Sequence, residues 1–595
     1  MNSNLDSSQK EAVCCGRGPC EVIAGPGSGK TSVLTERILY LIEQEGIDPA
    51  LILVLTFSRA AAMQMKERFL SKSHGRFTGV RFGTFHSVFF YILKESTGKD
   101  YSLLKDSVKE ALLGRLLQNY YRDPNERPTV EELEKALHTP SPVSEDARII
   151  SSVRRDYEAY KRENSILDYD DMIIKCRTIL TGNTKAREYW KNQFRAILVD
   201  EFQDVNSEQY EVLKLLTDGN RLFVVGDDDQ SIYGFRGSSP AIMKKFMDDF
   251  QGSRRIALEF NYRCSANICR ASGRMIAANK ERIAKKVQAA KPAGDKVILK
   301  GLTDESEQLA YLLNELRKLP AAELAGTAVI TRTNYHASKI RDYLCANAVE
   351  CAGKNTPSRM IRETIVRDIT HYRFLAAGMT RGALPRQSLF RVMNRPERFI
   401  LRSVADGEWI TPTELMVNAA RQNGSKEALE EFLDDLRVLG TLSPEGFIRY
   451  LFFSMGYAGW AEERLGNRQG AVSSLREILK ASGRFTDCGA MLESFAKEQG
   501  GEEAGTGRGL HIMTMHACKG LEFDRVYLPS LNEGIIPGRR CRTEADIEEE
   551  RRLLYVAMTR AKSRLELLYL AGTGENPRPP SRFLSVYGIR SFVYS

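Results

Sequence analysis

Three short groups of residues in this sequence carry side chains suited to phosphate chemistry. The first is Gly25-Pro26-Gly27-Ser28-Gly29-Lys30-Thr31, entered from the apolar run Val22-Ile23-Ala24. Glycines at this spacing let backbone N–H groups turn inward toward anionic oxygens, and a helix N-terminus adds partial positive charge. Lys30 can reach β- and γ-phosphates, and the Thr31 hydroxyl can ligate Mg²⁺. Ala24 stands where the general pattern begins with glycine. The second group is Asp200-Glu201, directly after the apolar run Ala196-Ile197-Leu198-Val199. Asp200 suits Mg²⁺, directly or through water, and Glu201 suits a general base that orients and deprotonates water. The third runs from Gly226 to Gly237. Gln230 is placed to touch a γ-phosphate, and Tyr233, Phe235 and Arg236 make a stacking platform with a cation beside it. Taken singly, each group has a plainer meaning: a glycine turn with a surface lysine, a solvated acidic loop, or packed aromatics.

Such side chains work only if strands and helices deliver them. The apolar runs at 22–24, 51–57, 196–199 and 222–225 read as buried parallel strands. Helix-period apolar residues Val33, Leu34, Ile38, Leu41 and Ile42 follow the glycine turn. The fold class is therefore α/β. Asp6 or Ser7 can cap a short helix ahead of the first strand, and Gln9 offers an amide that matches an adenine edge. Ser58 opens another helix. Phe57 and the segment Gly83-Thr84-Phe85-His86-Ser87 fall at strand ends, where open α/β sheets bind ligands; Phe57 or His86 alone reads as ordinary packing. Residues 88–187 look mostly helical, with Val108, Leu112, Leu113, Leu116 and Leu117 at helical spacing and Pro124, Pro128, Pro140 and Pro142 in loops. Further short strands are expected at 297–299, 328–330, 510–513, 526–528 and 565–570. The run from Gly500 to Gly507 reads as a flexible return.

At 595 residues the chain exceeds a single core. The net charge of +9 permits a polyanion partner without demanding one. Eleven cysteines, an odd number with no paired CxxC framework, fit a reduced, cytoplasmic protein. Cys14, Cys15 and Cys20 are close together but lack a fourth ligand at metal spacing. The N-terminal residues show no signal-peptide architecture, and the sequence holds no run of about 18 apolar residues.

In order, these groups resemble the motifs of UvrD/Rep-type superfamily 1 DNA helicases. The second half adds Asn261-Tyr262-Arg263, the segment Thr514 to Phe523, and Leu554-Tyr555-Val556-Ala557-Met558-Thr559-Arg560-Ala561. The resemblance runs nearly end to end. It implies two RecA-like P-loop lobes with parallel sheets, each carrying a mainly helical insertion: 1–88 and 188–257 for the first lobe around an insertion at 89–187, and 258–378 with 505–595 for the second around 379–504. It implies ATP and Mg²⁺ as cofactors, with Gln9, Gly25, Gly27, Ser28, Gly29, Lys30, Thr31, Ser32, Tyr262, Arg263, Glu522 and Arg560 around the nucleotide. Tyr262 would stack on adenine, Glu522 would contact the ribose, and Arg263 and Arg560 would approach the γ-phosphate from the second lobe. Lys30, Glu201, Gln230, Arg263 and Arg560 would carry catalysis, with Thr31 and Asp200 at the metal. The nucleic-acid track would include Phe57, Thr84, His86, Tyr233, Phe235, Arg236, Arg332, Asn334 and His516. Single-stranded and tailed duplex DNA would be the partners of a monomeric or weakly self-associating protein, with no membrane role.

Some positions depart from the resemblance. Phe235 stands where Trp is common, and Ser32 where several members place an arginine over the base. Asn394-Arg395-Pro396-Glu397-Arg398-Phe399-Ile400 matches a landmark of the second insertion, yet the glycines expected after it are absent. The expectation is a 3′→5′ DNA helicase. The alternatives are a translocase that strips proteins from DNA and unwinds poorly alone, and a nucleotide-gated scaffold without catalysis, against which the intact Glu201, Gln230 and Arg560 argue.

Overall fold

Apolar runs of four to six residues, bounded by turns, become the inner strands of the first of two parallel sheets. The computed structural model describes residues 5–104, 106–120, 128, 133, 137, 145–234, 237–238, 240–352, 357–405, 407–420, 426–465, 468–500, 509–574 and 576–588. Phe235 and Arg236, Pro124, Pro140 and Pro142, and the return segment 501–507 lie outside these residues.

The first sheet holds β1 (Cys20–Ala24), β2 (Ile52–Thr56), β3 (Arg81–Thr84), β4 (Ala196–Val199), β5 (Arg221–Gly226) and β6 (Arg254–Leu258), in the order β3-β2-β4-β5-β1-β6. Every pairing is parallel, with Val22 beside Val225 and Ile256, and Val54 beside Phe82 and Leu198. Both faces are covered, one by a cluster with Phe85, Phe89, Phe202 and Phe246, the other by one with Val33, Leu34, Ile38 and Phe69. This double burial is why the strands read as continuous apolar runs rather than alternating ones. Because the strands are parallel, their carboxyl ends form one rim, and the loops after β1, β4 and β5 share it.

After the short pair β7 (Phe260–Asn261) and β8 (Gln288–Ala289), the second sheet comprises β9 (Ile298–Leu302), β10 (Thr327–Thr331), β11 (Cys351–Ala352), β12 (Leu510–Thr514), β13 (Phe523–Leu528) and β14 (Ala561–Leu570). Its order is β9-β14-β13-β10-β12-β11, again parallel throughout. All five strands expected from the second half of the sequence are present in it. The chain thus has two parallel-sheet, RecA-like lobes. Between β3 and β4 it runs through helices Asp106–Tyr120, Glu145–Glu163 and Tyr169–Gly182. Between β11 and β12 it builds a larger helical body with its own core, in which Ile369, Tyr372, Leu436 and Phe447 are buried.

The helices that matter to the site are α1 (Ser7–Val13), α2 (Lys30–Glu43), α3 (Arg59–Lys72), α4 (Phe85–Thr97), α5 (Ala266–Ile276), α6 (Asn334–Ala346) and α7 (Glu544–Met558). Asp6 caps α1 by accepting from the Gln9 N–H, while the Gln9 side chain accepts from the Asp6 N–H. This reciprocal box fixes the Gln9 amide relative to the backbone. Among the described residues no helix is long and apolar enough to cross a membrane.

Candidate active site between the two sheets

The glycine turn after β1 hands the chain to α2 through Gly29, whose φ of +85° only glycine adopts without strain. A Cβ on Gly29 would lie 2.8 Å from Gln9 Nε2. One on Gly27, at φ +65°, would lie 2.5 Å from Arg263 Cβ. These positions are glycine because second-lobe backbone and the Gln9 amide press against the turn. Ser28 ties the turn together, donating from its N–H (3.3 Å) and its hydroxyl (2.8 Å) to the Gly25 carbonyl. Gln9 Nε2 donates to the Ser28 carbonyl at 2.9 Å.

Lys30 is the first residue of α2. Its buried Nζ has no hydrogen-bond acceptor among the described residues, and it stands 3.9 Å from Glu201 Oε2. A buried ammonium with one distant carboxylate is under-neutralised, which suits it to an anion. Thr31 sits beside it and Ser32 points to solvent one position on.

Asp200 and Glu201 follow β4. The Asp200 N–H donates to the Leu55 carbonyl at 2.9 Å, and its Oδ1 accepts from the Glu201 N–H at 3.0 Å. Glu201 has a φ of +51°, a left-handed conformation that is strained for a non-glycine residue and found most often at functional sites. Burial, with the adjacent Glu201 charge, pushes Asp200 up to about 7. Burial pushes Glu201 the same way, but Lys30, Lys519, the Gln203 hydrogen bond and Arg560 together hold it down at about 2. The two neighbouring carboxyls therefore have divergent tendencies: Glu201 stays ionised, and Asp200 gains most from an added cation. The Thr31 hydroxyl and the Asp200 carboxylate are hard oxygen donors that fit Mg²⁺.

Gln203 links this pair to the loop after β5: its Nε2 donates to Glu201 Oε2 at 2.5 Å and its Oε1 accepts from the Asp227 N–H at 2.8 Å. Gln230 Nε2 donates to Asp227 Oδ2 at 2.6 Å. From the second lobe, buried Arg560 reaches Gln230 Oε1 at 3.3 Å and also donates to the carbonyls of Val556 and Leu521. Lys519 Nζ donates to Asp204 Oδ2 at 2.5 Å and to the Gln230 carbonyl at 3.0 Å. The Tyr262 N–H donates to the Gly27 carbonyl at 2.9 Å, and its hydroxyl donates to Asp6 Oδ2 at 2.6 Å. Arg263 Nε donates to Glu522 Oε2 at 2.9 Å. Lys30 and Arg560, from distant parts of the chain, thus both act on Glu201.

Comparison with known proteins gives this site relatives. The UvrD/REP helicase N-terminal domain matches residues 5–251, and the UvrD-like helicase C-terminal domain matches 256–403 and 462–572. The chain belongs to the UvrD/Rep helicase family. Among its UvrD/Rep relatives, the ATP-dependent DNA helicase Rep of Escherichia coli is 31% identical over 98% of this chain and 93% of its own length. The putative ATP-dependent DNA helicase YjcD of Bacillus subtilis is 31% identical over 98% of this chain and 80% of its own. The ATP-dependent DNA helicase PcrA of Staphylococcus epidermidis is 28% identical over 98% of this chain and 86% of its own.

The residues that the UvrD/Rep resemblance assigns to a nucleic-acid track occupy several elements. Phe57 and Tyr233 stack on each other, with centroids 4.9 Å apart and planes 12° from parallel. Lys519 Nζ lies 4.9 Å from the Tyr233 ring centroid, so one lysine touches both this aromatic pair and Gln230. Thr84 caps α4 by accepting from the Ser87 N–H, and His86, in the first turn, meets Tyr169 edge-on at 5.3 Å. Asn334 opens α6 behind its Thr333 cap. Arg332 donates to both Glu550 oxygens, at 2.7 to 3.0 Å. Burial, then the Arg332 charge, lowers the His516 imidazole below its usual value. Sequence reading left Gln203 and Lys519 without roles of their own, although both lie inside motifs. Nothing in the spacing of Lys285 or Arg282 signals their position beside Asp227 and Asp229, which only the fold creates.

Proposed function

We propose that this chain is an ATP-dependent DNA helicase or translocase that moves 3′→5′ on single-stranded DNA. The observation that supports it best is the convergence of Lys30, Glu201, Gln230 and Arg560 on one interlobe cleft. Lys30 and the backbone N–H groups of the glycine turn bind the β- and γ-phosphates. Glu201, kept ionised, orients water and accepts its proton. Gln230 and Arg560, joined across the cleft, and Arg263 face the γ-phosphate. Positive side chains there stabilise charge that spreads over the phosphoryl oxygens in the transition state. Thr31 and Asp200 would hold Mg²⁺, which would supply charge neutralisation on the polyphosphate. Tyr262 packs on the base and Gln9 reads its edge, with Glu522 toward the ribose.

Because Arg560 belongs to the second lobe, closing the cleft and completing the site are one event. Lys519 carries that event to Tyr233 and Phe57, an aromatic pair suited to stacking bases of any sequence. The proposed division puts the lobes at 1–88 with 188–257 and at 258–378 with 505–595, with the helical segments between as insertions; the cores shift these bounds, since Phe89, Ile92 and Ile173 to Leu180 pack with the first lobe and Ile361 to Ala376 with the second helical body. Repair, replication restart and recombination are the settings in which such a motor acts.

The test pairs ATPase and strand-displacement assays on single strands, RNA and duplexes with 3′ or 5′ tails. Displacement of 3′-tailed duplexes with ATP is expected; activity on 5′-tailed duplexes alone overturns the polarity. Strong DNA-stimulated ATPase with no displacement at high enzyme concentration favours a protein-stripping translocase. Glu201→Gln is expected to abolish turnover while sparing ATP binding, measured by nucleotide titration; unchanged hydrolysis removes Glu201 from its role.

A further inference from the structure

Asp227, Asp228 and Asp229 are all buried, and their carboxylate oxygens lie within 4.8 Å of one another. Three like charges out of water need counter-charge close by. It comes from the second lobe, from the segment between α5 and β8. Lys285 Nζ bonds Asp227 Oδ1, Asp228 Oδ1 at 2.6 Å and Asp229 Oδ2 at 2.9 Å. Arg282 holds Asp229 with two donors, at 3.0 and 2.7 Å, and the Ile283 N–H donates to Asp228 Oδ2 at 2.6 Å. The cation in this acidic nest is a side chain of the protein itself.

The same segment is fastened on its other side to α7. Asn279 Nδ2 donates to the Glu548 carbonyl at 3.0 Å, and the Lys280 N–H to Glu548 Oε1 at 2.6 Å. Arg552 Nη2 donates to the Glu281 carbonyl at 3.0 Å, and Arg551 bonds Asn279 Oδ1. α7 ends at Met558, and Arg560 follows within two residues. Residues 279–285 therefore form a strap between the helix that delivers Arg560 and the loop that delivers Gln230.

Asp227 is the joint. One carboxylate oxygen takes Lys285 and the other accepts from Gln230 Nε2, while its N–H reaches Gln203, which holds Glu201. An amide side chain has no charge to orient it; here its N end is pinned by Asp227, leaving Oε1 to accept from Arg560. We propose that Lys285 is a positioning residue for ATP hydrolysis: it fixes the Asp227 carboxylate, which aims Gln230 at Arg560, so that cleft closure and Gln230 alignment are one motion transmitted through the strap. This rests on the ATP-hydrolysis reading above. Arg282 supports the role by sharing the Asp229 charge with Lys285, whose shortest contacts are to Asp227 and Asp228.

The test is Lys285→Met, which keeps length and removes charge, measured alone and in a Gln230→Ala background. DNA-stimulated kcat is expected to fall about 10- to 100-fold, as outer-layer positioning groups do elsewhere, with ATP affinity unchanged. In the Gln230→Ala background Lys285→Met is expected to cost nothing further, because a residue acting through Gln230 has nothing left to act on. Losses that multiply in the double variant, or a parental kcat in Lys285→Met, overturn the proposal. Should Lys285→Met fail to fold, the charge-balanced Lys285→Met/Asp228→Asn carries the same comparison, and a parental kcat there overturns it equally. A wild-type chain without DNA-stimulated ATPase refutes the functional reading; a working wild type matched by Lys285→Met refutes only the positioning role.

Discussion

Arg560 is buried to 2% exposure yet ends on a polar partner, Gln230, across the cleft. Burying a guanidinium costs several kcal/mol unless its donors are used, and here the carbonyls of Val556 and Leu521, Thr559 and Gln230 use them. This pre-built frame makes the arginine a rigid probe of the facing lobe. Lysine lacks the planar fork and cannot satisfy that frame. Arg560→Lys is expected to lower DNA-stimulated kcat on the order of 10³-fold, the scale of arginine fingers in other NTPases, while nucleotide binding persists; stopped-flow nucleotide binding beside steady-state turnover separates the two. Glu201 shows the complementary device. Its left-handed backbone turns the carboxylate off the strand axis, toward Lys30 and Gln203.

At the scale of elements, β1 carries an unexpected charge. Glu21 is its second residue, fully buried, with Arg255 as its register partner on β6 and its Arg255 hydrogen bond at 2.7 Å. Its other oxygen has no hydrogen-bond partner among the described residues. Burial outweighs Arg255 and raises this carboxyl to about 7. A raised folded-state value means that ionised Glu21 opposes folding. The penalty is fully present above about 7 and disappears as pH falls toward the ordinary carboxylate range, where Glu21 is protonated in both states. Glu21→Gln is expected to raise Tm relative to the parent at alkaline pH, with the gap narrowing at mildly acid pH; thermal melts across that range check it. α7 shows how one helix serves several contacts. Glu548 holds the strap, Glu549 accepts from the Gly234 N–H at 2.9 Å, and Glu550 clamps Arg332. Three consecutive glutamates point around the helix at about 100° steps, so each meets a different neighbour.

Across the whole molecule, the two lobes meet through polar contacts centred on the cleft. Besides the Lys285 ties, Lys519 makes a deeply buried one, at 8% side-chain exposure against 1% for Asp204. Removing one partner of a buried pair leaves the other charge uncompensated and costs about 3–5 kcal/mol. Because this pair spans the lobes, the cost falls on closure: Lys519→Met is expected to favour separated lobes, seen as a larger radius of gyration by small-angle scattering and as weaker coupling between DNA binding and ATPase. An unchanged scattering profile with parental stimulation argues against that tie. The helical body between β11 and β12 has a separate core, so it has the means to keep its own shape while the lobes move.

The sequence by itself determined the inner strands of the first sheet, because doubly buried parallel strands are short apolar runs with little room for ambiguity, but not its edge strands β3 and β6, whose exposed residues break the apolar run; it also determined the glycine turn, because backbone N–H groups can face phosphate only where side chains are absent. Local order also narrowed the first helix cap to Asp6 or Ser7, since a cap and its helix are neighbours in the chain, and the structure chose Asp6. Tertiary structure alone decided the rest of the site. Gln203, Lys519, Arg282 and Lys285 act through partners 24 to 315 positions away, and a charge that finds its partner across a cleft leaves no period, spacing or composition in the linear chain. The same reason separates Glu21 from an ordinary surface glutamate: the letter is identical, and only the sheet that covers it makes its ionisation costly.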